Sequence, residues 1–228
     1  MTLSFTWLGH SAFLFEINGR SVLTDPFLTN NPLAPVKADE VPADIILISH
    51  GHGDHIGDTV AIAQRTGALV ISTPEICGWL AKQGVTNLWE GNIGGSYYGD
   101  YITVKWTQAF HTSSLPDGSY GGDPTGFIIS AAGKRLYFAG DTGLFGDMAL
   151  IGEPSLDVAF LPIGDKYTMG IDDSLTAIKL LKPRHVVPMH FNTFPPIAQD
   201  VIDWARRVNN HTSATPIIND PGYAHVID

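Results

Sequence analysis

A dense group of histidines and aspartates follows a short apolar segment in the first quarter of the chain. Residues 48–58 read ISHGHGDHIGD, so three of the nine histidines in the sequence fall within six positions. Residues 45–48 are isoleucine or leucine throughout, a run typical of a short strand that is buried on both faces. Any fold of this chain must therefore place several imidazole and carboxylate groups at the end of a core strand.

The spacing within this group favours two binding sites. His50 and His52 are two residues apart, so their side chains point to the same side if the backbone is extended. The glycine after each of them permits the backbone angles that would turn Asp54 and His55 toward a neighbouring point. The H-x-H-x-D-H spacing thus offers ligands to two metal sites.

Three further candidates, His111, Asp141 and His190, each follow a predicted strand. Residues at the ends of strands converge most easily at a shared sheet edge, where loops carry functional groups on a rigid scaffold. We expect one site to be formed by three histidines and a second site by two histidines and an aspartate, with Asp141 able to bridge them. The predicted ligands are His50, His52 and His111 for the first site, and Asp54, His55 and His190 for the second.

The types of ligand indicate which metals would bind. Imidazole and carboxylate together suit zinc, with manganese, iron or nickel as alternatives. A cysteine-rich structural zinc site is excluded, because Cys77 is the one cysteine in the sequence. Two divalent ions about 3.5–4 Å apart would activate a shared water and polarise a substrate oxygen. The pattern predicts a binuclear hydrolase whose metal-bridging hydroxide attacks an ester, lactone, amide or phosphodiester.

Predicted strands and helices occur in both halves of the chain. The strands span residues 3–8, 12–17, 20–24, 45–49, 69–72, 101–109, 126–130, 135–139, 157–162 and 185–189. The helices span residues 59–65, 74–83, 173–181 and 198–208, and residues 87–100 suit turns or a hairpin. Two mixed β-sheets packed face to face with helices outside satisfy this order, which predicts a four-layer αββα sandwich of the α+β class. No linker divides the chain, so a single domain over residues 1–228 is expected.

The composition narrows the choice of partners. The chain has 13 basic and 23 acidic residues, and its net charge of −10 disfavours binding to nucleic acid and to anionic membrane surfaces. We expect a small-molecule substrate and no membrane insertion, because no apolar segment approaches the length of a bilayer. The single cysteine and the absence of a signal-peptide pattern predict a cytoplasmic location. A homo-oligomer remains an open alternative.

Several motifs resemble those of a known family. HGHGDH, His111, FAGDTG and PMHFN together resemble the metallo-β-lactamase fold over nearly the whole chain. Within that superfamily, WLGHSAF, TDPFLTNNP, TMGIDDS and VVPMHFNTFP resemble the bacterial and archaeal metal-dependent hydrolases related to ascorbate-6-phosphate lactonase. The resemblance implies an αββα sandwich and a binuclear site whose ligands fall on the same seven residues.

Departures from other branches of this superfamily restrict the chemistry. The di-iron oxygen reductases carry a glutamate where this chain has His52, which argues against redox chemistry. Many β-lactamases use a cysteine ligand, whereas Cys77 lies in a predicted helix away from the strand ends, which argues against antibiotic hydrolysis. WLGHSAF is also similar to the phospholipase D that releases N-acylethanolamines, so a phosphodiester substrate stays open.

Four residues are candidates for further roles. Asp54 would accept a proton as well as bind metal. His10, at the turn between the first two strands, is either an ordinary surface or packing residue or a catalytic proton donor or substrate contact. Asp25 either caps the turn before a proline or orients a ligand imidazole. Lys166 either holds an anionic substrate group or is solvated.

Two alternative functions follow from the same residues. A nuclease of the same fold would use the same metals, although the acidic charge balance and the lack of a basic arm argue against it. A non-catalytic metal-binding protein would instead enclose both metals completely in protein ligands.

Overall fold

Two facing β-sheets with helices on their outer sides form the protein, which is described here from a computed structural model covering residues 2–227. Within that range the first sheet has seven strands, in the order β14-β1-β2-β3-β4-β5-β6. Its strands are β1 (Leu3–Trp7), β2 (Phe13–Ile17), β3 (Arg20–Thr24), β4 (Ile45–Leu47), β5 (Leu69–Ser72), β6 (Leu88–Glu90) and β14 (Ala224–Val226). The α+β sandwich predicted from the sequence is confirmed.

The second sheet also has seven strands within the described residues, in the order β13-β12-β11-β10-β9-β8-β7. They are β7 (Ser96–Tyr98), β8 (Thr103–Gln108), β9 (Thr125–Ala131), β10 (Lys134–Phe138), β11 (Val158–Pro162), β12 (His185–Met189) and β13 (Thr215–Pro216). The helices are α1 (Gly53–Ile56), α2 (Thr59–Thr66), α3 (Pro74–Lys82), α4 (Met148–Ile151), α5 (Ile171–Leu181) and α6 (Val201–His211), with a 3₁₀ turn at Pro195–Ile197.

Strand direction determines where the functional loops lie. In the first sheet β3 and β4 are parallel, and β1 runs in the same sense because β2 is antiparallel to both β1 and β3. In the second sheet β10, β11 and β12 are parallel, and β8 shares their sense because β9 is antiparallel to both β8 and β10. The carboxyl ends of these strands therefore lie at one edge of each sheet.

Aromatic side chains fill the space between the two sheets. The ring of Phe160, from the second sheet, lies 4.9–5.3 Å from the rings of Phe5, Phe13 and Phe15, from the first sheet, in edge-on contacts. All four side chains are fully buried. Edge-to-face aromatic pairs add to the free energy gained by burial alone. This cluster holds the sheets together behind the edge where the functional loops lie.

Helices cover the outer face of each sheet. On the first sheet, Ile62 of α2 and Leu80 of α3 pack with Ile46 in a second buried apolar cluster. On the second sheet α5 and α6 pack against each other, and the buried indole N–H of Trp204 in α6 donates to the hydroxyl of Ser174 in α5 at 3.0 Å. Each sheet thus has one face in the central core and one face under helices.

The structure corrects the sequence prediction in a few places. The hairpin considered within residues 87–100 is wrong, because the two strands of this segment do not pair with each other. Strand β6 pairs with β5 in the first sheet, and β7 pairs with β8 in the second. The residues between β6 and β7 therefore cross from one sheet to the other. The last helix starts at Val201 rather than at residue 198, because the Asp200 carboxylate accepts hydrogen bonds from two backbone N–H groups of its first turn. The unpredicted elements α1, α4, β13 and β14 have four residues or fewer and carry little periodic signal.

Among residues 2–227, no helix combines the length and the apolar composition needed to cross a lipid bilayer.

Replacing the central ring of the aromatic cluster tests this description of the core. We expect Phe160→Ala to lower the free energy of unfolding by about 3–5 kcal/mol, because it removes a ring that contacts three others and leaves a cavity. The midpoint of urea unfolding measures the change. Ile202→Ala is the control, since that side chain is 69% exposed and its loss should change stability by less than about 0.5 kcal/mol. Equal effects of the two substitutions would contradict the assignment of the core.

Candidate metal centre

The residues singled out in the sequence meet at one edge of the sandwich. His50 follows β4 by three residues, and His190 follows β12 directly. His111 and Asp141 each follow a strand of the second sheet by three residues, at the ends of β8 and β10. The predicted convergence of strand-end residues is therefore observed.

Three histidines form the first cluster. The backbone at His52 is extended, with φ −62° and ψ 147°, so its side chain and that of His50 share one side as predicted. His50 Nε2 lies 3.0 Å from His52 Nδ1, and the ring of His111 lies 5.1 Å from each of the other two rings. One nitrogen of each residue lies within 4.8 Å of the others. This is a geometry that can hold one metal ion.

The second cluster contains the three predicted residues and one more. One potential ligand atom each of Asp54, His55, His190 and His10 lies within 4.8 Å of the others. The short helix α1 brings Asp54 and His55 back toward the sheet edge, as its backbone N–H groups at positions 55 and 56 donate to the carbonyl of His52. The sequence predicted His10 near the site but not within a ligand group.

Asp141 lies between the two clusters. Its Oδ2 atom is 2.9 Å from His190 Nε2, 3.3 Å from His55 Nε2 and 3.6 Å from His111 Nε2. The aspartate is 2% exposed, so water does not screen these contacts. A buried carboxylate that faces histidines of both clusters is suited to bridge two cations.

Asp25 orients imidazoles of both clusters. Its Oδ2 atom lies 2.8 Å from His55 Nδ1 and accepts a hydrogen bond of 2.6 Å from the hydroxyl of Ser49. The Ser49 hydroxyl in turn lies 3.0 Å from His50 Nδ1. Because the hydroxyl donates to the carboxylate, it accepts from His50, and the Nε2 atoms of both histidines are left free to bind metal. Of the two roles considered for Asp25, these contacts match the one in which it orients ligand imidazoles.

His10 is fully buried beside the second cluster. Its Nδ1 lies 2.9 Å from the hydroxyl of Thr193, and its Nε2 lies 3.3 Å from Asp54 Oδ2. The rings of Phe27 and Phe194 contact it edge-on at 5.7 and 5.9 Å. The alternative of an ordinary surface residue is therefore wrong for His10, which faces the site from inside.

Burial keeps most of the imidazoles neutral. Burial lowers the pKa of His10 to about 4, although the contact with Asp54 opposes this change. Burial likewise lowers the pKa of His50 well below its usual value, and smaller reductions with the same cause apply to His52 and His111. Neutral imidazoles present lone pairs, which is the form that binds metal.

His55 and Asp141 behave differently. Burial acts to lower the pKa of His55, but the carboxylates of Asp141 and Asp25 outweigh it and raise the pKa well above the usual value. Burial acts to raise the pKa of Asp141, but His190 and His55 outweigh it and hold that pKa well below its usual range. The centre of the cluster therefore favours positive charge.

The residues present fit a divalent cation. Among the described residues, four buried atoms near the centre have no hydrogen-bond partner: Nε2 of His10, Nε2 of His55, Nδ1 of His190 and Oδ1 of Asp141. An unsatisfied buried polar atom costs free energy, and metal coordination removes that cost for those that face the cation. Nitrogen and carboxylate oxygen are the donors that zinc and its neighbours in the first transition row bind.

The sequence analysis did not identify two residues that contact the site histidines, and it considered a substrate-binding role for one exposed residue. Ser49 and Thr193 carry hydrogen bonds to the histidines, but single hydroxyl residues next to a motif give no distinct sequence signal. Lys166 is exposed, with its Nζ atom 5.5 Å from the ring of Tyr167, as expected for a solvated lysine. Cys77 is buried in α3, away from the strand ends, as predicted.

Comparison with known proteins identifies the family. The family described as the beta-lactamase superfamily domain matches residues 4–190. A metal-dependent hydrolase of the UPF0173 family from Thermus thermophilus is 51% identical over 201 residues, which cover 88% of this chain and 89% of that protein. A member of the same family from Pelotomaculum thermopropionicum is 50% identical over 223 residues, covering 95% and 96% of the two chains.

A solved structure agrees with these matches. The metallo hydrolase Igni18 of the archaeon Ignicoccus hospitalis superposes with a TM-score of 0.91 and 40% sequence identity, over 100% of this chain and 99% of that one. The family match covers most of the chain, and the two relatives are about 50% identical over most of their length. The protein therefore belongs to the β-lactamase superfamily and, within it, to the UPF0173 metal-dependent hydrolases.

Proposed function

We propose that this protein is a binuclear metal-dependent hydrolase of small ester, lactone or phosphodiester substrates. The observation that carries the proposal is the convergence of two histidine-rich clusters on a shared buried aspartate. We assign the first metal to His50, His52 and His111, and the second to Asp54, His55 and His190, with Asp141 between them. Zinc is our first choice for both ions, with manganese, iron or nickel as alternatives.

The chemistry divides between the ions and the side chains. Two divalent ions held by these residues would supply an activated water and polarise the substrate oxygen. Asp54, whose side chain is 37% exposed, would accept a proton on the solvent side of the site. Asp25 keeps the outer nitrogens of His50 and His55 occupied, so that both present their Nε2 lone pairs inward. We also include His10 in the proposed active site, because its Nε2 faces Asp54.

Exposure within the site indicates how substrate enters. His50, His55 and His190 are buried, whereas His52 and His111 are only partly buried. Substrate would therefore approach from the side of His52 and His111, where the histidine clusters meet solvent. Ligands that are open on one side are typical of catalytic rather than structural metal sites. This argues against the non-catalytic alternative.

Charge and cysteine content support the remaining assignments. A net charge of −10 supports a small-molecule substrate over nucleic acid. The one cysteine, Cys77, is buried, and burial raises its pKa to about 12, which is compatible with a reducing cytoplasm. We place the activity in a single domain that spans residues 1–228.

A substrate panel tests the proposed reaction. Protein reconstituted with zinc or manganese would be assayed on aryl esters, lactones including a phosphorylated sugar lactone, bis-aryl phosphodiesters and labelled RNA, with chelator-treated protein as the control. We expect metal-dependent turnover of at least one small substrate and none of RNA. Turnover of RNA alone would favour the nuclease, and full metal occupancy without any turnover would favour a non-catalytic metal protein.

Removing a predicted ligand should affect both metal content and rate. We expect His50→Ala and Asp141→Ala each to lower bound metal below two equivalents and turnover by at least about a hundredfold, because each removes a donor that the remaining residues cannot replace. Elemental analysis and steady-state kinetics measure the two effects. His211→Ala is the control, since His211 is exposed at the end of α6. Two equivalents still bound in both ligand variants would contradict the assignment.

The raised pKa of His55 leads to a prediction about protons. The carboxylates of Asp141 and Asp25 raise the pKa of His55 well above its usual value, so we expect the metal-free protein to carry a proton on His55 at neutral pH. Metal must displace that proton, so binding should release at least one proton and tighten as the pH rises toward that pKa. His50 adds none, since its pKa is lowered and the group is already neutral. Calorimetric titrations in two buffers with different ionisation enthalpies measure the release, and identical heats in both would count against this charge state.

A further inference from the structure

We propose that His10 is an additional protein ligand of the second metal, so that each metal is held by three imidazoles. The inference rests on the proposed binuclear site and specifies its composition. His10 then acts as a metal ligand, and not as the proton donor or substrate contact considered from the sequence. The motifs that define the seven predicted ligands do not include His10.

The donor atoms of the second cluster converge as closely as those of the first. One ligand atom each of His10, Asp54, His55 and His190 lies within 4.8 Å of the others. The ring centroid of His10 is 4.1 Å from that of His190 and 5.5 Å from that of His55. In the first cluster the corresponding distances are 4.6–5.1 Å. Three imidazoles thus surround each half of the centre at similar spacing.

Hydrogen bonding leaves Nε2 of His10 free. The Thr193 hydroxyl lies 3.4 Å from the carbonyl of Phe191 and can donate to it, and we therefore assign the 2.9 Å contact as a hydrogen bond from His10 Nδ1–H to that hydroxyl. The lone pair is then on Nε2, which faces the cluster and has no hydrogen-bond partner among the described residues. A metal-binding histidine needs this arrangement, in which its other nitrogen donates to an oxygen.

The same arrangement occurs at two predicted ligands. His50 donates through Nδ1 to the Ser49 hydroxyl, and His55 donates through Nδ1 to the Asp25 carboxylate. His10 with Thr193 is a third pair of this kind, from a different part of the chain. All three imidazoles therefore present Nε2 toward the centre.

The contact between His10 and Asp54 requires a proton or a metal ion at this point. A free Nε2 and a carboxylate oxygen both carry lone pairs, and here they lie 3.3 Å apart. Two acceptors at this distance repel each other unless a positive charge lies between or beside them. The identical separation of 3.3 Å between His55 Nε2 and Asp141 Oδ2 occurs in the same cluster. One metal ion bound to these atoms would satisfy both contacts.

The backbone holds His10 in a strained position. Its φ of 55° lies in the left-handed region, which is unfavourable for a residue with a side chain. Two hydrogen bonds to its carbonyl, from the indole of Trp7 and the backbone N–H of His190, maintain that conformation at 3.0 Å each. Strain that the surroundings maintain is typical of functional positions.

Proximity alone does not make a ligand, as Asp25 shows. Asp25 also lies within 4.8 Å of ligand atoms of His50 and His55. Its two oxygens, however, are occupied by the Ser49 backbone N–H, the Ser49 hydroxyl and His55 Nδ1. His10 differs because the atom that faces the cluster is unoccupied.

Metal affinity, rather than turnover, tests this inference. Full-length wild type, His10→Gln and the control His211→Gln would be stripped of metal and titrated with Zn²⁺ against a chelator of known affinity. We expect His10→Gln to bind the second equivalent at least about tenfold more weakly than wild type, with the first equivalent unchanged. His211→Gln should match wild type. Co²⁺ titrations would show the same difference as a change in the visible absorption of the second ion.

Substitutions at Thr193 guard against a folding artefact at position 10. Thr193→Val removes the hydroxyl that orients His10 and should weaken binding of the second equivalent of Zn²⁺. Thr193→Ser keeps a hydroxyl and should bind that equivalent as tightly as wild type. If His10→Gln and Thr193→Val both bind two equivalents as tightly as wild type, the ligand role is overturned, even if turnover falls. Should wild type bind both ions and hydrolyse nothing, the proposed function fails while the ligand role can still be upheld.

Discussion

Several imidazole nitrogens and carboxylate oxygens lie unusually close together at one edge of this sandwich, and the rest of the site depends on their proximity. Nitrogen and oxygen atoms of His55, His190 and Asp141 lie 2.9–3.3 Å apart with almost no exposure to water. Without a cation this arrangement is held only by protons, which explains the raised pKa of His55. The geometry is thus that of a candidate cation site, in which desolvation opposes the assembly of these groups and a bound metal ion would favour it.

The two sheets supply the rigidity that such crowding requires. Six strands precede site residues at this edge, namely β1, β3, β4, β8, β10 and β12. The aromatic cluster around Phe160 holds the two sheets together behind it. Three site residues, His10, Asp25 and His190, adopt positive φ values of 55°, 38° and 54°. Such conformations persist only where surrounding contacts over-determine them. Core packing therefore stabilises a strained and electrostatically crowded edge.

Much of this could be predicted from the sequence, for identifiable reasons. The H-x-H-x-D-H spacing after a buried strand predicts convergence because an extended backbone places His50 and His52 on one side, and the structure agrees. The route of residues 87–100 could not be predicted, because short strands give the same local pattern whether they pair with each other or with two different sheets. The position of His10 depends on Thr193, 183 residues away, and no local pattern records that contact.

Anomalous diffraction from a crystal of the purified protein, recorded at the absorption edge of its metal, tests the central claim most directly. The account predicts two peaks, one among His50, His52 and His111 and the other among Asp54, His55 and His190, separated by about 3.5–4 Å across Asp141. A single peak, or peaks outside this edge of the sandwich, in protein that retains two equivalents of metal would contradict it.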